Sequence, residues 1–204
     1  DRTISFTHKK VGQAVGEGAL LSGEVTVWEI GIPEDLKKEW ICTAQTVEEE
    51  YAKAALPGRK TDGHKGDFGK LLVIGGAVGY TGAPYLTASA AVRSGCGLVF
   101  LGVPETIWPI EAAKCVSSMP FPLPEKTDLL TKRPVLATDK ALHKLEEKLT
   151  ACDVLALGPG MGREAQTEQL ILELLRRMEK PVVLDADGIN ALAGHIDVLD
   201  RRKG

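Results

Sequence analysis

Two glycine-rich segments follow apolar runs and are the parts of the chain best suited to hold a ligand. The first, GGAVGYTGAP, spans residues 75–84 and includes Gly76, and the second places Gly158, Gly160 and Gly162 within GPGMG. Glycine lets a ligand approach backbone amides closely, and a helix that starts behind such a turn attracts anions. Both segments are therefore candidate ligand contacts, and the alternative for each is a tight structural turn.

Acidic and basic side chains near other apolar runs offer further chemistry. Asp185 and Asp187 follow the run VVL, where their carboxylates could bind magnesium or a hydroxyl group. Alternatively, Asp187 caps a helix that begins near Gly188. His64 and Lys65 lie in a polar, glycine-rich loop, where Lys65 could contact phosphate or could simply be solvated.

Composition and spacing exclude several functional classes. The net charge is −3, so no basic field favours nucleic acid as a partner. No apolar run approaches the roughly 18 residues of a membrane span, so we expect no membrane partner. The four cysteines are scattered, which argues against a zinc site or a disulfide framework and fits a reducing, cytoplasmic setting. The first glycine segment does not match G-x-G-x-x-G, so a nicotinamide-dependent oxidoreductase is poorly supported.

The elements that must position these residues follow from four continuous apolar runs. Strands that are apolar at every position are buried on both faces, which is typical of a parallel sheet covered by helices. The runs predict strands near 71–75, 97–102, 153–157 and 181–185. Helical patterns at 82–94, 139–149 and 164–178 lie between the runs and predict a layered α/β fold. Ligands of such sheets bind beyond the carboxyl ends of the strands, where the glycine segments and Asp185 fall.

The chain divides into three parts by composition. Residues 1–35 are β-rich, with short strands separated by glycine turns, and residues 36–57 form a linker with a helix that Thr46 caps and Pro57 ends. Residues 58–204 hold the α/β pattern, although the proline-rich middle stretch of that part has no clear assignment.

Three motifs occur in the order and at the spacing typical of one family. They are HKGDFGKLLVIGGAVGYTGAPYLTASAAVRSGCGLV, LALGPGMG and VVLDADGIN. Over about residues 50–204 the chain resembles the ADP/ATP-dependent NAD(P)H-hydrate dehydratases. The resemblance implies part of a ribokinase-like layered fold, in which a mostly parallel central sheet has helices on both faces.

The first 35 residues resemble the last strands of another domain, the NAD(P)H-hydrate epimerase. That tail has the form T-x-x-F…K…G-x-V-x-V-x-x-I-G-I-P, which residues 3–33 match. An epimerase followed by a dehydratase is the bifunctional bacterial arrangement. The resemblance therefore implies an internal piece of such a protein, cut at both ends, with K⁺ as a cofactor of the epimerase half that is missing here.

The resemblance implies an activity, its co-substrates and its site residues. Hydrates of NADH and NADPH carry a ring hydroxyl, which the family phosphorylates with ADP or ATP, assisted by Mg²⁺, before phosphate is eliminated. The family also tends to form homo-oligomers. The residues implied to contact or border the hydrate are Gly82, Ala83, Gly160, Gly162, Asp185 and Asn190, and those implied as phosphate or loop contacts are His64, Lys65 and Gly76.

The chain also departs from the family pattern. The family's second half carries T-P-H-P-G-E, a lysine-glycine nucleotide loop and G-x-G-D, whose aspartate is the expected catalytic base, and none of these occurs here. We therefore expect no catalytic residue in this chain and no activity from the chain alone. Two alternatives remain open: a kinase of the same fold that acts on a vitamin precursor or sugar, and a non-catalytic binding or assembly module.

Overall fold

The computed structural model of the protein describes residues 1–38, 44–56 and 58–200. The chain forms two compact units, Asp1–Gly58 and Arg59–Gly204, and the residues of each unit pack mainly against one another. Part of the predicted linker lies outside the described residues, including Cys42 and the predicted helix breaker Pro57.

The first unit contains a parallel strand pair, β1 (Arg2–Phe6) and β2 (Glu24–Trp28). Parallel neighbours need a crossover connection, which α1 (Val11–Ala14) and α2 (Gly16–Leu21) provide. The prediction of glycine turns between these strands was therefore wrong. The glycines suggested turns, but the chain must return to the start of the sheet, and here it does so through two short helices.

The rest of the first unit is helical in two places. Helix α3 spans Glu34–Lys38 and α4 spans Glu49–Ala55. The predicted cap at Thr46 is wrong, because the residue before α4 is Glu48 and no side chain caps the helix. The Thr46 hydroxyl instead donates to Glu48 Oε1 at 2.7 Å, which satisfies it outside the helix.

The second unit begins with a short 3₁₀ helix, Lys65–Phe68, inside the segment predicted as a loop. Its strands are β3 (Lys70–Ile74), β4 (Leu98–Pro104), β5 (Met119–Leu123), β6 (Glu125–Thr127), β7 (Pro134–Leu136), β8 (Val154–Leu157) and β9 (Val182–Leu184). Its helices are α5 (Gly82–Arg93), α6 (Trp108–Lys114), α7 (Thr138–Ala151), α8 (Ala165–Arg177), α9 (Asp187–Asn190) and α10 (Asp197–Asp200). The four predicted strands and three predicted helices are confirmed within a few residues.

A five-stranded sheet forms the centre of this unit, and every strand pair in it is parallel. Its strand order is β5-β4-β3-β8-β9, so the chain runs outward from β3 in one direction and then from β8 in the other. A crevice opens at such a reversal, beyond the carboxyl ends of the two central strands. Strands β6 and β7 form a separate antiparallel pair.

Successive strand residues point to opposite sides of the sheet. Because these residues are apolar on both sides, both faces are covered by helices. On one face Leu72 and Leu155 pack with leucines of α7 and α8, and on the other Val73 and Leu101 pack with Ala88 of α5. The sheet core is therefore buried on both sides, and the predicted layered α/β fold is confirmed.

Candidate functional site

Three turns meet at the carboxyl edge of the sheet, where the strand order reverses. We call them the first glycine turn (residues 75–81), the second glycine turn (residues 158–164) and the acidic turn (residues 185–187). The Gly76 amide donates to the Pro159 carbonyl at 2.8 Å, and the Gly162 amide donates to Asp187 Oδ2 at 2.8 Å. The second glycine turn thus lies between the other two.

Some glycines of these turns are required by backbone packing alone. A Cβ on Gly75 would lie 2.6 Å from the Pro159 carbonyl oxygen, and Gly158, at φ +120°, lies against the backbone of Asp185. At these two positions the tight turn itself requires glycine. By contrast, a Cβ on Gly82 would have no neighbour within 4 Å, so space for a ligand remains there.

Gly160 brings the second glycine turn onto the start of α5. It has φ +64°, and a Cβ added to it would lie 3.1 Å from Tyr80 Cβ and 3.3 Å from Ala83 Cβ. The predicted residues Gly160 and Ala83 are therefore neighbours. A side chain here would be strained by the backbone conformation and would require Tyr80 or Ala83 to move by a few tenths of an ångström.

Asp187 joins the acidic turn to the second glycine turn. Its carboxylate accepts from the Gly162 amide at 2.8 Å and from Asn190 Nδ2 at 3.1 Å, and Arg163 Nε lies 3.9 Å away. Asp187 is the first residue of α9 and does not cap it through its side chain. Asp187 thus brings Gly162 and Asn190 together. The sequence predicted it only as a ligand of a metal or hydroxyl group, or as a helix cap.

Ala186 carries backbone strain at the centre of the acidic turn. Its φ and ψ are 43° and −109°, in a region that residues with a Cβ rarely adopt. Strain of this kind persists only where the surrounding structure fixes it, and it is concentrated at ligand sites. Alanine gives no sequence signal for this conformation, so the sequence could not have identified it.

Lys114 and Glu111 of α6 also reach this edge, and the sequence did not single them out. Lys114 Nζ donates to the carbonyl and hydroxyl oxygens of Thr81, the last residue of the first glycine turn, and to Glu111 Oε1. Only the long-range fold places α6 beside Thr81. A cavity next to this contact is lined by Tyr85, Ser89, Val92, Arg93 and residues 114–118.

His64 and Lys65 do not join the other candidates. They lie at the start of the 3₁₀ helix that precedes β3, and the Lys65 carbonyl is against Gly97, just before β4. That position is the amino edge of the sheet, whereas the three turns are at its carboxyl edge. His64 instead stabilises its own loop, where its Nδ1 accepts from the Gly66 amide at 3.1 Å.

The described residues do not form a magnesium cage. Within the described ranges, no three His, Cys, Asp or Glu side chains are grouped closely enough to hold a metal ion. Both carboxylate oxygens of Asp187 already accept hydrogen bonds, which leaves Asp185 as the exposed carboxylate of the acidic turn. We therefore assign no Mg²⁺ site to these residues.

No helix within the part of the chain that the structure describes is both long and apolar enough to cross a membrane.

Comparison with known proteins identifies longer relatives. A "Bifunctional NAD(P)H-hydrate repair enzyme Nnr" from Moorella thermoacetica is 41% identical over 197 residues, which cover 97% of this chain and 36% of that protein. A protein of the same name from Salinibacter ruber is 39% identical and is covered to 37%. The chain thus spans little more than a third of the length of these curated relatives.

Solved structures share the fold at lower identity. A ribokinase-like superfamily protein from Enterococcus faecalis V583 matches with a TM-score of 0.60 and 21% identity, over 72% of this chain and 47% of that chain. An ADP/ATP-dependent NAD(P)H-hydrate dehydratase from Bacillus subtilis, co-crystallized with ATP/Mg²⁺, matches with a TM-score of 0.50 and 23% identity, over 69% and 45%. These similarities show that the fold is ribokinase-like.

A family model described as NAD(P)H-hydrate dehydratase matches residues 71–204, which include all three turns. The match confirms the family that the three motifs predicted. The chain belongs to the NAD(P)H-hydrate dehydratase family.

Proposed function

We propose that this chain supplies the substrate side of an enzyme that repairs hydrated NADH and NADPH. The observation that carries the proposal is the meeting of the two glycine turns and the acidic turn at the reversal of strand order. Each turn belongs to one of the three family motifs, although up to about 100 residues separate them along the chain. A ligand in this crevice would contact all three motifs at once.

The proposed reaction converts a poor leaving group into a good one. The hydroxyl oxygen of the hydrated ring attacks the terminal phosphorus of ADP or ATP, a base accepts the hydroxyl proton, and AMP or ADP leaves. Phosphate then leaves the ring carbon as a neighbouring ring proton is lost, and the double bond returns. Backbone amides of the glycine turns would orient the hydrate, since preorganised donors need no rearrangement during the reaction.

The proposed hydrate contacts are Gly82, Ala83, Gly160, Gly162, Asp185 and Asn190, with Gly76 near a phosphate. We assign the base to no residue of this chain, because its sequence lacks G-x-G-D. Mg²⁺ would enter with the nucleotide phosphates, which is its usual mode of binding in phosphoryl-transfer sites. His64 and Lys65 stay predicted phosphate contacts outside this crevice.

We further propose that residues 1–35 are the end of an epimerase domain, that 36–57 link the domains and that 58–204 begin the dehydratase. Two observations support this division. The bifunctional relatives extend well beyond this chain, and the first unit leaves large apolar side chains more than half exposed. These include Ile4, Phe6, Leu20, Leu21 and Trp28. Exposed apolar groups at this density mark a contact surface.

The whole protein would act in the cytoplasm as a homo-oligomer, and K⁺ would serve its epimerase domain. Either ADP or ATP would donate the phosphoryl group, and the hydrates of both NADH and NADPH would be substrates.

Mixing the full-length protein with NADPH hydrate, Mg²⁺ and either nucleotide tests the proposal. We expect the absorbance of reduced nicotinamide to recover, with one phosphate released for each molecule repaired, because elimination restores the ring. Omitting the nucleotide is the control and should stop recovery. A folded protein that leaves the hydrate unchanged but phosphorylates a vitamin precursor or a sugar would contradict the proposal and favour a kinase.

A further inference from the structure

Lys114, the last residue of α6, holds the end of the first glycine turn through three hydrogen bonds. Its Nζ donates to the Thr81 carbonyl oxygen at 3.0 Å, to Thr81 Oγ1 at 2.8 Å and to Glu111 Oε1 at 3.2 Å. An ammonium group has three N–H bonds, so these acceptors use all of them. Lys114 therefore forms a fixed tether between α6 and Thr81.

Glu111 orients this tether from a fully buried position. Its side chain is 0% exposed, whereas that of Lys114 is 34% exposed. Glu111 Oε2 has no hydrogen-bond partner among the described residues. Burying such a pair brings little net stability, because desolvation offsets the attraction and apolar residues often do as well. The pair is therefore weak evidence of a stabilising role. Its visible effect is to hold the Lys114 ammonium group against the carbonyl and hydroxyl oxygens of Thr81.

The tether also removes Thr81 from its ordinary role. Thr81 immediately precedes α5, where a threonine hydroxyl usually accepts from a backbone amide in the first turn of the helix. Here no side chain caps α5 in that way, and the hydroxyl accepts from Lys114 instead. The first turn of α5, which includes the candidate contacts Gly82 and Ala83, thus lacks a cap beside the crevice.

Thr81 lies beside the residues through which the two glycine turns approach each other. Its neighbours Tyr80 and Ala83 are the residues against which Gly160 packs, at 3.1 and 3.3 Å from a Cβ built on that glycine. A shift of Thr81 would therefore change the spacing between the first and second glycine turns. The ring of Tyr85, one turn along α5, lies 6.0 Å from Lys114 Nζ and extends the contact.

We infer that Lys114, oriented by Glu111, is a positioning residue that sets the first glycine turn for binding of the nicotinamide hydrate. The inference rests on the proposed function, since it names the hydrate as the ligand of the crevice. Lys114 acts through Thr81 and does not touch the reacting atoms. Its loss should weaken binding of the ground state and the transition state alike, which raises KM and leaves kcat nearly unchanged.

The test uses the full-length protein with the paired change Glu111→Gln and Lys114→Met, which leaves no unpaired buried charge. We expect KM for NADPH hydrate to rise roughly tenfold and kcat to change less than about threefold. Hydrogen exchange should become faster at the amides of residues 79–85 and stay unchanged in α8.

A matched control removes an ion pair of the same spacing elsewhere in the unit. Glu173 and Arg176 of α8 are joined at 2.8 Å and do not touch the glycine turns. The paired change Glu173→Gln and Arg176→Met should therefore leave both KM and exchange at residues 79–85 unaltered. Equal acceleration of exchange throughout the second unit by the Lys114 variant, or an unchanged KM, would overturn the inference.

A milder pair of variants decides the matter if the double variant does not fold. Thr81→Val removes only the hydroxyl, whereas Thr81→Ser keeps it. We expect Thr81→Val to raise KM and to speed local exchange, and Thr81→Ser to do neither. Identical behaviour of the two variants would refute the tether. Failure of the proposed function is distinguishable, because the unaltered protein would then not consume hydrate, while exchange would still show whether Lys114 holds the turn.

Discussion

Gly160 illustrates how a single residue sets the spacing of the candidate site. Its positive φ would cost a residue with a Cβ about 1–2 kcal/mol. That cost is shared by every left-handed glycine in the chain. At Gly160 a methyl group would also lie only 3.1 Å from Tyr80 Cβ and 3.3 Å from Ala83 Cβ, so it would press the two glycine turns apart.

We predict that Gly160→Ala in the full-length protein raises KM for NADPH hydrate roughly tenfold, because the methyl group forces the two glycine turns apart. Steady-state kinetics with the hydrate as the varied substrate measure this effect. Gly194→Ala is the matched control, since Gly194 has φ +81° but open space around its Cβ position. It should carry a similar cost of backbone strain and leave KM unchanged, and an equal KM effect in both variants would show that backbone strain alone is responsible.

Sequence could predict the glycines of the site but not the contacts between them. Gly158 and Gly160 were identified from their density after an apolar run, and the structure places both in the second glycine turn. The roles of Asp187 and Lys114 depend on partners 25 and 33 residues away, at Gly162 and Thr81. Such pairings arise from the fold and have no local pattern.

At the scale of elements, continuous apolar runs predicted the central strands well, since burial on both faces leaves no polar positions. The edge strand β5 was missed because it contains Pro120 and Pro122, which ordinarily argue against a strand. Proline is tolerated there because β5 pairs only with β4 within its sheet, so its other side needs no amide donors. The crossover α1–α2 was missed because glycines interrupt its helical pattern.

The junction of α7 and β8 gives a prediction about pH. Cys152 follows α7 and is fully buried, and this burial raises the pKa of its thiol above its ordinary value, despite the opposing attraction of Lys180. A pKa that is raised on folding stabilises the protein below the unfolded pKa, and this contribution is lost as pH rises through the folded pKa.

We therefore expect the free energy of unfolding to fall on the alkaline side of the thiol's ordinary pKa. Cys152→Ala should lack this component of the decline, so the stability difference between the two proteins should shrink as pH rises through that range. Urea denaturation at neutral and alkaline pH measures both values. A stability difference that stays constant across the range would show that the thiol does not ionise with unfolding in the way its burial implies.

At the scale of the whole molecule, the two units differ in how much of their apolar surface is buried. The second unit buries a sheet between two helical layers, whereas the first exposes apolar side chains around a two-stranded sheet. A two-stranded sheet is marginal by itself, which supports the proposal that residues 1–35 are the end of an epimerase domain. This agrees with the greater length of the bifunctional relatives.

The most direct test of the site is hydrogen exchange of the full-length protein with NADPH hydrate and without nucleotide, so that the ligand binds without reacting. We predict that protection is concentrated at residues 76–83, 158–162 and 185–190, the segments that converge at the carboxyl edge of β3, β8 and β9. Protection confined to other segments, in a protein that still repairs the hydrate, would contradict it.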